Sequence, residues 1–148
     1  MNRDEFYART MHTPDDPVRA ARRATLREIS RLLLPLHRSL IESARSDFAI
    51  AYEEVDKPSH LLQLLNDHPF FAWLKPMTSL IVDIDEMSRT DFDEAQYEAI
   101  VKRVQSLVGN GASPEFSAQY VPILQRNVDV AINHAALRQA LMRFANGH

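Results

Sequence analysis

The chain has 148 residues, no cysteine, a net charge of −3, 45% apolar residues and 25% charged residues. That length suits one domain with a continuous core. The composition excludes a disulfide scaffold, a thiolate metal site and a cysteine nucleophile, and the charge supplies no bulk field toward nucleic acid or anionic lipid.

Residues 1–14 read as a flexible N-terminal arm, and residues 15–148 as a single helical-bundle domain. The first 13 residues hold no apolar run long enough for a signal peptide. The most apolar window is interrupted by Lys75 and Pro76, so a cytoplasmic chain without a membrane span is the expectation.

Helical periodicity dominates the rest. The spacing predicts a first long helix over 16–55, with Asp16 as its cap and Pro17 at the first helical position, where a missing N–H costs nothing. A short helical piece over 60–65 follows. A core helix then spans 69–87, opened by Asp67 or His68 ahead of Pro69 and carrying the aromatic side chains Phe70, Phe71 and Trp73. Thr90, with Asp93 three residues on, predicts a near capping box for a helix ending around 108. Ser113 and Pro114 open a final helix over 114–144. The fold class is all-α: an antiparallel helical bundle of four main helices, the first and last of them long. Pro35, Pro76 and Pro122 fall inside these patterns, each expected to kink its helix and release the carbonyl four residues earlier.

Chemistry-bearing patterns are few. The run Asp83, Asp85, Glu86 closes the core helix. At about 100° per residue, however, Asp83 and Asp85 fall on opposite edges of the apolar arc and Glu86 points outward. Side chains two apart do not face each other, so no acid–base carboxylate pair is encoded here. Asp85 lies nearest the interior.

The final segment carries a seam of alternating four- and three-residue steps: Ile123, Asn127, Val130, His134, Leu137, Leu141, Phe144. Asn127 and His134 sit within it, and His37 sits within the apolar arc of the first helix. These three predict a buried, mutually satisfied polar layer. Alternatively His37, His134 and Asp85 converge as a nitrogen–nitrogen–carboxylate set for a divalent transition metal. The chain has neither a Glu-x-x-His nor a His-x-x-x-His spacing, so a di-iron bundle is not indicated.

Charge is segregated along the chain. Between residues 17 and 45, arginines 19, 22, 23, 27, 31, 38 and 45 stand against only Glu28 and Glu42, and residues 83–98 hold seven acids against Arg89. Contact between the two segments, within or between subunits, explains both better than nucleic acid does, since no aromatics interleave the arginines. No Gly-rich phosphate loop or serine-nucleophile elbow is present. The resulting expectation is a non-enzymatic helical bundle with no cofactor, acting through protein–protein contact or self-association, with a homodimer as the expected state. The alternative is a ligand- or metal-binding bundle, with or without enzymatic activity.

Overall fold

The computed structural model describes residues 15–146, so the expected arm at 1–14 lies outside the described residues. The described residues contain six α-helices and one 3₁₀ segment, with no strand among them. The helices are α1 (Pro17–Ala51), α2 (Pro58–Asp67), α3 (Lys75–Met87), α4 (Glu94–Val108), α5 (Pro114–Arg126) and α6 (Val128–Asn146). The 3₁₀ segment, Pro69–Leu74, lies between α2 and α3. No described helix is long and apolar enough to cross a membrane.

Thirty-five residues make α1 about 52 Å long. Its start follows the sequence pattern: the Asp16 carboxylate accepts from the Arg19 amide at 2.7 Å, and Pro17 opens the first turn. Leu26, Ile29, Leu33, Leu36, Leu40, Ala44 and Phe48 form its buried face. The helix ends at Ala51, four residues before the expected limit. Val55 is still buried, its carbonyl held by the Arg45 guanidinium, whose Nε donates at 2.9 Å.

The residues after α2 form two kinds of helix, and proline chemistry explains why. His68 caps the 3₁₀ segment through Nδ1, which accepts from the Phe70 amide at 3.1 Å. Pro76 has no N–H with which to reach the carbonyl of Ala72. The Lys75 amide, one residue earlier, takes that carbonyl in the tighter pattern. The expected orphan carbonyl at Ala72 is therefore satisfied, and Pro76 occupies the first turn of α3 rather than a helix interior. Pro35 and Pro122 do lie inside α1 and α5. The Pro35 carbonyl accepts from the Ser39 hydroxyl at 2.7 Å and from Asn133 of α6 at 3.3 Å.

Two expected boundaries move. The capping box of α4 is built by Asp93 and Gln96, each side chain bonded to the other's amide at 2.8 Å, and not by Thr90 and Asp93. Thr90 belongs to the preceding turn, where its hydroxyl donates to the Glu86 carbonyl. The single final helix is also two helices. At Asn127 the backbone is extended (φ −111°, ψ 114°), and the side-chain oxygen accepts from the Val130 amide at 3.1 Å. Asparagine competes well with helical backbone bonding, which makes it a poor interior residue and a good cap.

The packing order follows from which apolar faces meet. α1 lies most extensively against α6 and next against α3; α3 also contacts α4, and α4 contacts α6. α5 packs on α6 and on the 3₁₀ segment. One core cluster runs through all of these contacts, with Phe71, Met77, Ile84, Val104, Phe116 and Leu137 among its best-buried members. At the end of α1, Phe48 gathers Tyr52, His68, Phe70 and Phe71 into an aromatic group with ring centroids 4.8–5.4 Å from its own.

Candidate functional site

The polar residues singled out from the sequence do not form one layer. His37 is half-buried on α1, where Nε2 lies 3.0 Å from the Thr78 hydroxyl of α3. The same hydroxyl donates to the Leu74 carbonyl at 3.2 Å. Burial holds the His37 ring below its ordinary pKa and so keeps it neutral.

His134 stands elsewhere, between α5 and α6. Its Nδ1 lies 2.6 Å from the Tyr120 hydroxyl, and the two rings meet edge to face with centroids 5.6 Å apart. Burial pushes the Tyr120 phenol up, against the opposing pull of Arg138. Burial and then the Arg138 guanidinium push His134 down. Both groups are therefore neutral, and a hydrogen bond joins the phenol to the imidazole. The pair borders an open pocket of about 230 Å³ that also includes Phe116, Leu124 and Arg138.

Asp85 is 58% exposed and bonds Arg89, one helical turn on, at 2.7 Å. It is a surface residue. Asn127 is half-buried but serves as the cap at the α5–α6 elbow. Among the described residues, no group of three or more His, Asp or Glu is placed to hold a metal ion. His37, His134 and Asp85 thus form no such group, and each has its own partner: Thr78, Tyr120 and Arg89. The carboxylates of the core helix also part company: Asp83 pairs with Arg103 of α4 at 2.7 Å.

The most constructed polar site escaped the sequence patterns. Arg23 is only 6% exposed. Its guanidinium makes a bidentate pair with Asp15 at 2.7 and 3.0 Å. One terminal nitrogen also donates to the Ser88 carbonyl at 2.7 Å, to Thr90 at 3.0 Å and to Met87 at 3.4 Å. Phe92 covers the group, its ring centroid 5.1 Å from the guanidinium carbon. The carbonyls at the end of α3 point the negative end of that helix at the cation, which lowers the cost of burying it. Arg22 sits alongside, paired with Glu94 at 2.9 Å and stacked over Tyr97, while Arg19 reaches Asp91 at 3.6 Å. The first arginines of the basic segment therefore meet the acidic segment within one chain. The available signal was Asp15 and Arg23 two turns apart at a helix start, opposite an acidic connection.

The last helix has a second notable face. Its inner side buries Val130, Leu137, Ala140 and Leu141. On the opposite side Val128, Ile132, Ala135, Gln139 and Met142 recur in steps of four and three, all exposed. Val128 is 71% exposed, and Ile132 and Met142 are each 61% exposed. A helix apolar on two opposite faces needs two packing partners, and the described residues supply one. Comparison with protein-family models, with curated proteins and with solved structures returned no match.

Proposed function

We propose that the chain is a non-enzymatic antiparallel four-helix bundle, built on α1, α3, α4 and α6, that works through protein–protein contact at the outer face of α6. One observation carries this reading: three large apolar side chains, Val128, Ile132 and Met142, stand exposed along one stripe of a helix whose other face is already buried. Isolated exposed apolar residues are ordinary, but an aligned stripe on a single helix is the form that helix-mediated recognition takes. The heptad seam read from the sequence does not contribute, since the elbow at Asn127 divides it and His134 is engaged by Tyr120.

The Tyr120–His134 pocket fits this picture as a joint between α5 and α6. Its volume of about 230 Å³ is below the roughly 300–1,000 Å³ typical of small-molecule sites.

A photo-crosslinking amino acid at Ile132, compared with one at Ser79 on α3, tests the reading in expressing cells. Protein adducts at position 132 and none at position 79 are expected. Absence of any protein adduct at 132 would overturn the contact-face reading.

A further inference from the structure

We propose that the occupant of this face is a second copy of the chain, docked α6 against α6 in an antiparallel, two-fold arrangement centred between Ala135 and Ala136. The inference rests on the contact-face reading above and names its partner.

The stripe positions 128, 132, 135, 139 and 142 are the inward positions of a heptad pattern. Asp129 and Arg143 each follow a stripe residue by one, so they lie on the same flank, two heptads apart. Both are exposed. Among the described residues neither enters an ion pair; Arg143 lies near Glu28, but that carboxylate is held by Arg31 at 2.6 Å. In an antiparallel pair, residues on the same flank of the two helices meet. Asp129 then faces the partner's Arg143, and the two-fold axis repeats that contact at the other end. The same register sets Val128 against the partner's Met142 and Ile132 against the partner's Gln139, with the small alanines at the centre where the helices approach.

The parallel alternative fails on charge. It would bring Arg138, on the other flank, against the partner's Arg143, a like-charge contact at the position where parallel coils place their salt bridges. An isologous surface must be complementary to itself, and the placement of one acid and one base around Ala135–Ala136 meets that condition in the antiparallel sense only.

A groove beside the start of α6 adds a second observation. About 340 Å³ in volume, it lies between α6 and α1 and is bordered by Asp129, Ile132, Glu42 and Arg38. The antiparallel register delivers the partner's Met142 and Arg143 to this place. There Ile132 offers an apolar wall and Asp129 a carboxylate to the guanidinium, while Glu42 is paired with Arg45 at 3.5 Å. Five stripe positions per helix make a small interface, so the association is expected to be on the order of micromolar.

Sedimentation of the purified chain from low micromolar to several hundred micromolar tests this directly. The mass should rise toward twice the monomer, and Ile132→Glu should hold it at one. Asp129→Arg should weaken association roughly ten-fold or more by opposing like charges at both ends. The double variant Asp129→Arg, Arg143→Asp should restore it, since reversal preserves the complementarity. All these positions are exposed, and unchanged thermal melts confirm that the fold survives.

Because the chain has no cysteine, Ala135→Cys supplies an independent readout. Mild oxidation should link it into a dimer, and a Ser79→Cys control should stay monomeric. A monomer at every concentration with no linked Ala135→Cys dimer would refute the second copy, and a dimer indifferent to Asp129→Arg alone would refute the register. Cellular adducts at position 132 whose mass is not doubled would leave the contact face standing while removing the second copy as its occupant.

Discussion

Two polar junctions hold the helices together, and they solve the problem of burial in opposite ways. At the start of α1 the Arg23 cation is almost sealed from solvent, with a bidentate carboxylate, three carbonyls and an aromatic cover around it. Between α5 and α6 the Tyr120–His134 pair carries no charge and remains open to a pocket. A buried charge demands partners on every side, because each unsatisfied contact is costly at low dielectric. A neutral pair needs one good hydrogen bond and tolerates water at its edge. The difference teaches where rigidity is built: the charged junction locks the α3–α4 connection to α1, whereas the neutral one lets an elbow close.

The contrast is most easily broken at Arg23. Arg23→Ala leaves Asp15 without its bidentate partner and the carbonyls of Ser88 and Thr90 without a donor. It should cost about 3–5 kcal/mol of folding free energy, read from urea unfolding. A loss below about 1 kcal/mol would mean that the guanidinium is a surface group and that the contrast is false. At the neutral junction, Tyr120→Phe removes one hydroxyl and leaves His134 Nδ1 beside a pocket that water can enter. The expected cost is about 1–2 kcal/mol. Equal costs at the two junctions would erase the distinction.

The elbow offers a test in which the sign decides, and it marks where sequence reading stops. Helix content, the Asp16 and Ser113 caps and the arc Leu33, Leu36, Leu40, Ala44 and Phe48 of α1 were legible, because each follows from local chemistry or a 3.6-residue period, although Ala51, expected on the same arc, is exposed. The break at Asn127 was not, since the apolar steps continue through it and periodicity cannot distinguish a seam from an elbow. His134 was expected on an inward-facing arc, but its partner Tyr120 lies across a helix junction, and no spacing rule reaches that far. Arg23 was hidden by its neighbours: seven arginines in one stretch look alike until tertiary contacts select one. Asn127→Ala discriminates between the two readings of the elbow. In a continuous helix alanine would stabilise, being the better helix former. At a cap it should destabilise by about 1 kcal/mol through loss of the bond to the Val130 amide.

The smallest expected effect is on pH, and it separates the junctions by chemistry rather than size. His37 and His134 are both held below the ordinary histidine value of 6.5, chiefly by burial. A group whose folded pKa is depressed binds fewer protons in the native state than in the unfolded one. Stability is then fully present above about 6.5 and is lost as pH falls through the folded value. The limiting slope is about 1.4 kcal/mol per pH unit for each group, and solvent at these half-open rings should keep the observed slope well below that limit. The Arg23 guanidinium stays charged across this range, its pKa raised first by the Asp15 hydrogen bond, so the charged junction adds no histidine-like fall. Melting temperature between pH 7.5 and 5 should therefore decline in the wild-type chain and decline less in His134→Gln, where glutamine keeps a hydrogen-bonding side chain that cannot titrate. An unchanged decline in that variant would place the pH sensitivity outside the Tyr120 junction.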